Sequence, residues 1–95
     1  MASIRDLKKD VDYLVSMVVV DCFQYANYFE NADKEAAYKI VQNIMGKHAD
    51  LRRRINHPDG KDNPKLVKKH YRKIGEDLLA VCDEAYAELA HLVEE

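Results

Sequence analysis

The spacing of the apolar residues constrains this chain most: they recur every three or four positions through three long segments. That spacing collects apolar side chains on one face of a helix, whereas a strand needs strict alternation, which is nearly absent here. Only 3 Gly and 2 Pro occur among the 95 residues, and the strongest turn signal is NHPDGKDN at residues 56–63. We therefore predict an all-α fold built from a few long helices.

We predict helices over residues 4–30, 34–56 and 64–93, which together form a single domain covering residues 1–95. At 1.5 Å per residue, helices of this length span roughly 35 to 45 Å. Short connections place consecutive helices antiparallel to each other. The expected architecture is an up-down-up three-helix bundle in which the first and third helices run in the same direction.

Residues that can accept hydrogen bonds from backbone amides precede each predicted helix. Ser3, Asp33 and Asn63 occupy these N-cap positions. Pro64 suits the first position of the third helix, because the N–H that it lacks is not needed there. Gly46 lies inside the second helix and weakens it by up to about 1 kcal/mol relative to alanine. A close approach by a neighbouring helix is one explanation for this glycine.

The inward faces of the three helices form the predicted core. In the first helix these residues are Ile4, Leu7, Val11, Leu14, Val18, Cys22, Tyr25 and Phe29. In the second helix they are Ala37, Ile40, Val41, Ile44, His48, Leu51 and Ile55. In the third helix they are Val67, Tyr71, Ile74, Leu78, Val81, Cys82, Ala85, Leu89 and Leu92.

Charged residues separate along this predicted bundle into a basic end and an acidic end. The basic end comprises the start of the first helix, the end of the second, the 56–63 segment and the start of the third. It holds 13 of the 15 basic residues and six acids, a net charge of +7, against −9 for the rest of the chain. Lysines crowd the positive N-terminus of the third helix, which is locally unfavourable. Two alternative explanations for this arrangement stay open: the basic end binds a partner, or its charges form ion pairs on a solvated surface.

Backbone amides at the start of the third helix, flanked by lysines, suit an anion such as a phosphate or a partner's carboxylates. The residues predicted to bind a partner or anion are Arg52, Arg53, His57, Lys65, Lys68 and Lys69. An acidic protein and nucleic acid both stay open as partners. No signature of a nucleic-acid-binding module is present, and the aromatic residue of this region, Tyr71, is assigned to the core.

The first helix carries more apolar side chains than one buried face requires. The residues that cover much of its circumference are Val15, Val18, Val19, Val20, Cys22 and Phe23. A second, weaker apolar row on the third helix consists of Leu79, Tyr86, Ala90 and Val93. Exposed apolar patches usually mark interfaces, and two-fold homodimers are the commonest assemblies, although scattered surface valines need no explanation. The residues predicted to mediate self-association are Tyr13, Met17, Val20, Leu79 and Tyr86.

The four histidines do not lead us to predict a catalytic residue, a metal site or a cofactor. His48 lies on an apolar face, which favours a core histidine hydrogen-bonded to a neighbouring side chain. Its candidate neighbours in the bundle are Asp10, Asp12 and Asp77. His57 and His70, near the 56–63 segment, are expected to be exposed, and nothing in the sequence orients them for proton transfer.

Cys22 and Cys82 lie on the inward faces of the two parallel helices at similar heights, and we interpret them as small buried apolar residues. Glu88 and His91 have the Glu-x-x-His spacing of di-iron bundles. That motif requires a second such pair and two further glutamates, which are missing, and Leu89 takes the core position between them. We therefore expect a protein without enzymatic activity.

The segments SIRDLKKDVDYLV and RINHPDGKDNPKLVKKHYRKI are similar to small helical proteins of unknown function from Bacteroidetes. The resemblance covers most of the chain and implies a bacterial, cytoplasmic protein, but no activity, cofactor or site. No membrane association is expected, because basic residues do not flank the apolar rows. The sequence favours a self-associating interaction or structural protein, with anion or nucleic-acid binding at the basic end as the alternative.

Overall fold

The computed structural model shows three long α-helices packed against one another. Their bounds are α1 Ile4–Tyr28, α2 Lys34–Asn56 and α3 Pro64–Glu94. The residues that the structure describes are 4–58, 60 and 62–94. Each helix contacts both others, and together they form a rod of 54 × 20 × 18 Å. The described residues contain no strand, so the predicted all-α three-helix bundle is confirmed.

The observed helix boundaries lie within two residues of the predicted ones. α1 ends at Tyr28, two residues early, and the hydroxyl of Tyr25 accepts a hydrogen bond from the backbone N–H of Asp33 at 2.9 Å. This bond turns the chain back towards the bundle directly after α1. The predicted cap at Ser3 lies outside the described residues.

Two of the predicted N-caps are confirmed by their hydrogen bonds. Asp33 Oδ1 accepts from the backbone N–H of Ala36 at 3.0 Å at the start of α2. Asn63 Oδ1 accepts from Lys65 N–H at 3.0 Å and from Leu66 N–H at 3.4 Å at the start of α3. Both side chains satisfy amides that have no partner within their own helix.

Side chains of α3 satisfy the last carbonyl groups of α2. His70 Nε2 donates to the carbonyl oxygen of Arg54 at 2.7 Å, and the Tyr71 hydroxyl donates to that of Ile55 at 3.0 Å. The end of a helix leaves such carbonyls without partners, so these two bonds fix the angle between α2 and α3. The expectation that His70 is exposed and unoriented is therefore wrong.

A single apolar core runs through the centre of the rod. Its buried members are Val11, Val15, Val18, Cys22, Tyr25, Ala26, Ala37, Ile40, Ile44, Leu51, Ile55, Tyr71, Ile74, Leu78, Cys82, Ala85 and Leu89. Fifteen of these seventeen are predicted core residues, and the exceptions are Val15 and Ala26. The predicted core residues Ile4 and Phe29 are about half-exposed, because α1 begins at Ile4 and ends just before Phe29.

Two positions inside α2 differ from expectation. His48 lies at the edge of the core rather than within it, since 26% of its side chain is exposed. A Cβ added to Gly46 would meet no atom within 4 Å, so a close helix approach does not explain this glycine. None of the helices described here combines the length and apolarity needed to cross a membrane.

Candidate functional site

Exposed apolar side chains of α1 and α3 form one face of the rod, called here the α1–α3 face. Its members are Tyr13, Met17, Val20, Leu79, Tyr86 and Val93. Tyr13 is 63% exposed and Leu79 is 59% exposed, which is unusual for side chains of this size. The first five were the predicted self-association residues. Val93 lies seven positions after Tyr86, and its place in that row was visible in the sequence.

A hydrogen bond between helices brings the two apolar rows together. The Tyr86 hydroxyl of α3 donates to Asp21 Oδ2 of α1 at 2.7 Å. Val20 of α1 and Val93 of α3 line the same open groove of about 730 Å³. These two contacts place the α1 row and the α3 row side by side on the rod.

The pKa is raised for one ionisable group on this face and for two in the core beneath it. Burial, the hydrogen bond to Asp21 and the negative charge of that carboxylate raise the pKa of Tyr86 to about 12. Burial also raises the pKa of the thiols of Cys22 and Cys82. The Tyr86 hydroxyl therefore stays protonated at neutral pH and keeps its bond to Asp21.

Basic side chains at the start of α3 form a second surface, called here the α3 basic strip. Its members are Lys65, Lys68, Lys69, Arg72 and Lys73, which line one open groove together with Glu76. Lys73 lies 3.2 Å from the carboxylate of Asp77. Within the described part of the chain, no carboxylate lies within 4.0 Å of the other four side chains, so their charges are open to a partner.

The backbone amides at the start of α3 do not form an anion site. The Asn63 side chain accepts hydrogen bonds from the backbone amides of Lys65 and Leu66. The backbone carbonyl oxygen of Asn63 accepts a hydrogen bond from the amide of Val67 at 3.0 Å. Pro64 has no N–H to offer. The prediction of unoccupied amides here is wrong, because the N-cap that was correctly identified uses the donors that an anion would need.

The predicted anion-binding residues divide into two groups. Lys65, Lys68 and Lys69 lie on the α3 basic strip, and His57 lines a neighbouring groove that Lys69 also borders. Arg52 instead lies 3.4 Å from Asp12, and Arg53 forms an ion pair with Asp50 within α2.

The structure also adds two residues to the predicted set. These are Arg72 and Lys73, which continue the strip one turn further along α3. Their spacing of three and four residues from Lys68 and Lys69 was visible in the sequence.

Two acids counted at the acidic end belong to the basic end. Asp77 accepts hydrogen bonds from Arg54 at 2.9 Å and from Lys73 at 3.2 Å, and Glu76 borders the α3 basic strip. Partial burial works to raise the pKa of Asp77, but those bonds and charges outweigh it and lower the pKa. Reassigning both acids reduces the charges of the two ends from +7 and −9 to +5 and −7.

His48 forms a small polar cluster between α1 and α2. Its Nε2 lies 2.7 Å from Asp12 Oδ1, so the predicted bond to one of three candidate aspartates is made to Asp12. Arg52 reaches the other oxygen of the same carboxylate at 3.4 Å. Among the residues described, no three His, Cys, Asp or Glu side chains are placed to hold a metal ion. The cluster joins two helices by polar contacts at the rim of the core.

Comparisons with known proteins add nothing to these two surfaces. The chain matches no protein-family model, no curated protein and no solved structure. The function must therefore be inferred from the side chains of the α1–α3 face and the α3 basic strip.

Proposed function

We propose that this chain is a non-enzymatic interaction module that self-associates through the α1–α3 face. The observation that supports the proposal is the bond between Tyr86 and Asp21, which brings the apolar rows of α1 and α3 side by side. Contiguous exposed apolar patches of this kind usually mark protein–protein interfaces. A second copy of the chain is the occupant, since two-fold homodimers are the commonest assemblies.

The size of the face fits a dimer. The rod is 54 Å long and about 20 Å wide, so one side offers a flat area on the order of a stable interface. Such an interface buries about 800 Å² on each partner. Large side chains at its centre, such as Tyr13, Met17 and Leu79, supply the desolvated contacts on which affinity depends.

Sedimentation velocity on the wild type and two matched variants tests this proposal. Leu79→Glu places a charge at the centre of the α1–α3 face, whereas Met45→Glu makes the same kind of change at a side chain of α2 that is 47% exposed. We expect a dimer for the wild type and Met45→Glu, and a monomer for Leu79→Glu. A wild type that stays monomeric at high concentration contradicts the proposal, and so does a Leu79→Glu variant that dimerises like the wild type.

A second candidate function is the binding of an anionic partner by the α3 basic strip. It is supported by Lys65, Lys68, Lys69 and Arg72, which have no carboxylate partner among the described residues. The stretch from Lys65 to Arg72 covers about 10 Å of helix, which matches a few successive phosphates of a nucleic-acid backbone.

Fluorescence anisotropy with a labelled DNA duplex tests this second candidate. Binding should weaken steeply between about 50 and 200 mM salt and be lost in Lys65→Gln/Lys68→Gln/Lys69→Gln. Co-purified nucleic acid should also be easy to see, because six Tyr and no Trp give the protein weak absorbance. The absence of binding at low salt contradicts this candidate and leaves the self-association proposal unaffected.

A cytoplasmic, bacterial origin is part of the proposal. The cytoplasmic location is supported by two free cysteines in the core, which suit a reducing compartment. Immunoblotting of cell fractions from the source organism provides the test. Recovery of the chain in a secreted fraction would contradict this location.

A further inference from the structure

One row of α3 combines the two surfaces described above. Lys65, Arg72, Leu79, Tyr86 and Val93 are spaced seven residues apart, and all five side chains are exposed. Seven residues fall a little short of two helical turns, so the row is about 42 Å long and shifts around α3 by roughly 20° at each step. The first two are basic and the last three are apolar. Leu79 occupies the middle position of α3, which runs from Pro64 to Glu94.

When the two rods lie along each other, two arrangements bring the α1–α3 face of one copy onto that of another with two-fold symmetry. If the axis runs along the rod, the copies are parallel, and α1 of one lies opposite α3 of the other. If the axis crosses the rod, the copies are antiparallel, and each helix lies opposite its own counterpart. In both arrangements the contact is isologous, because the same patch serves both partners.

The charge distribution distinguishes these arrangements. A parallel dimer places the basic ends, each with a net charge of +5, side by side. An antiparallel dimer places each basic end beside the partner's acidic end, with a net charge of −7. Like charges brought together at an interface oppose association, whereas opposite charges favour it and fix the relative orientation of the partners.

We propose, given the self-association described above, that the second copy binds antiparallel, with α3 against the partner's α3. Leu79 then lies next to the two-fold axis and contacts the partner's Leu79. Arg72 lies opposite the partner's Tyr86, beside the carboxylate of the partner's Asp21. Lys65, at the far end of the row, lies opposite the partner's Val93 and next to the partner's Glu94. In this dimer Lys65 and Arg72 each gain an acid, which neither has among the described residues of its own chain.

Met17 provides an independent marker for the same axis. It lies four residues before Asp21, and Leu79 lies seven residues before Tyr86, the partner of Asp21 across the α1–α3 contact. The long tyrosine side chain leans towards the N-terminus of α3, which brings Met17 and Leu79 to nearly the same height. An antiparallel dimer therefore places Met17 close to the partner's Met17.

Cross-linking with a short bis-maleimide separates the two arrangements. We expect Leu79→Cys chains to cross-link to each other, and Met17→Cys chains likewise, while the wild type with its two buried cysteines stays uncross-linked. In the parallel arrangement residue 79 lies opposite the partner's residue 17, so a mixture of the two variants links faster than either variant alone. A mixture of Lys65→Cys and Val93→Cys chains should cross-link in the antiparallel dimer alone.

Salt dependence provides a second readout on the unmodified protein. The dissociation constant of an antiparallel dimer should rise several-fold with increasing salt, because screening weakens the attraction between opposite ends. A constant that falls with salt, or a link that forms fastest between Leu79→Cys and Met17→Cys, overturns the antiparallel arrangement and leaves self-association intact. A chain that is monomeric by sedimentation overturns self-association itself.

Discussion

Replacing Gly60 by alanine should destabilise the fold through the turn between α2 and α3. Gly60 has φ +67°, in the left-handed region that residues with a Cβ avoid. An added Cβ would also lie 2.6 Å from the Cβ of Leu66, an atom fixed to the backbone of α3. Because neither problem is relieved by a side-chain rotation, the two costs add.

The expected magnitude follows from these two terms. A non-glycine residue held in the left-handed region costs on the order of 1–3 kcal/mol, and the contact with Leu66 adds to it. We therefore expect Gly60→Ala to lose about 2 kcal/mol or more of the free energy of unfolding. For a domain of this size, such a loss lowers the melting temperature by roughly 8 to 16 °C. The bond from Asn63 N–H to the Gly60 carbonyl, 2.7 Å long, should weaken as the turn shifts.

The same substitution inside α2 should have the opposite sign. A Cβ at Gly46 meets nothing within 4 Å, and the helical backbone there suits alanine. Gly46→Ala should therefore gain up to about 1 kcal/mol. Urea unfolding followed by circular dichroism, at one protein concentration for all variants, measures both changes. The reasoning is refuted if Gly60→Ala unfolds at the wild-type urea concentration, or if both substitutions shift the midpoint in the same direction.

Two further predictions concern single polar groups. Tyr71→Phe should lose about 1–2 kcal/mol of stability in urea unfolding, because the buried carbonyl of Ile55 loses its hydroxyl donor. The control Tyr28→Phe, at a side chain that is 84% exposed, should leave the unfolding free energy unchanged. The lowered pKa of Asp77 means that its ion pairs stabilise the fold above the unfolded-state pKa, and that this contribution is lost as the pH falls through the folded-state value. Asp77→Asn should therefore be less stable than the wild type at neutral pH but not in acid, and a difference independent of pH would contradict the assignment.

The helices and most of the core could be predicted from the sequence because local rules determine them. Apolar spacing placed Val18, Ile44 and Ile74 at the centre, and each of them is almost fully buried. The caps at Asp33 and Asn63 depend on side chains close in sequence to the amides that they bind. Nothing beyond a few neighbouring residues was needed for these predictions.

Contacts between distant residues were harder to predict. The bond from His70 to the carbonyl of Arg54 depends on the angle between two helices, which apolar spacing does not specify. The pairing of Asp77 with Arg54 depends on the relative height of α2 and α3. A shift of one helical turn would separate these side chains and leave Asp77 with the acidic end of the rod. The candidate surfaces were predictable as rows on single helices, but their union across α1 and α3 required the structure.

The two core cysteines allow the opening of the bundle to be followed without any mutation. Cys22 on α1 is fully buried and Cys82 on α3 is 7% exposed, and both thiols have a raised pKa, so neither reacts readily in the closed state. Labelling by a thiol reagent then requires a local opening, and its rate reports how often that opening occurs. Equal rates at the two positions would show that α1 and α3 separate in one event, whereas unequal rates would show that one helix detaches before the other.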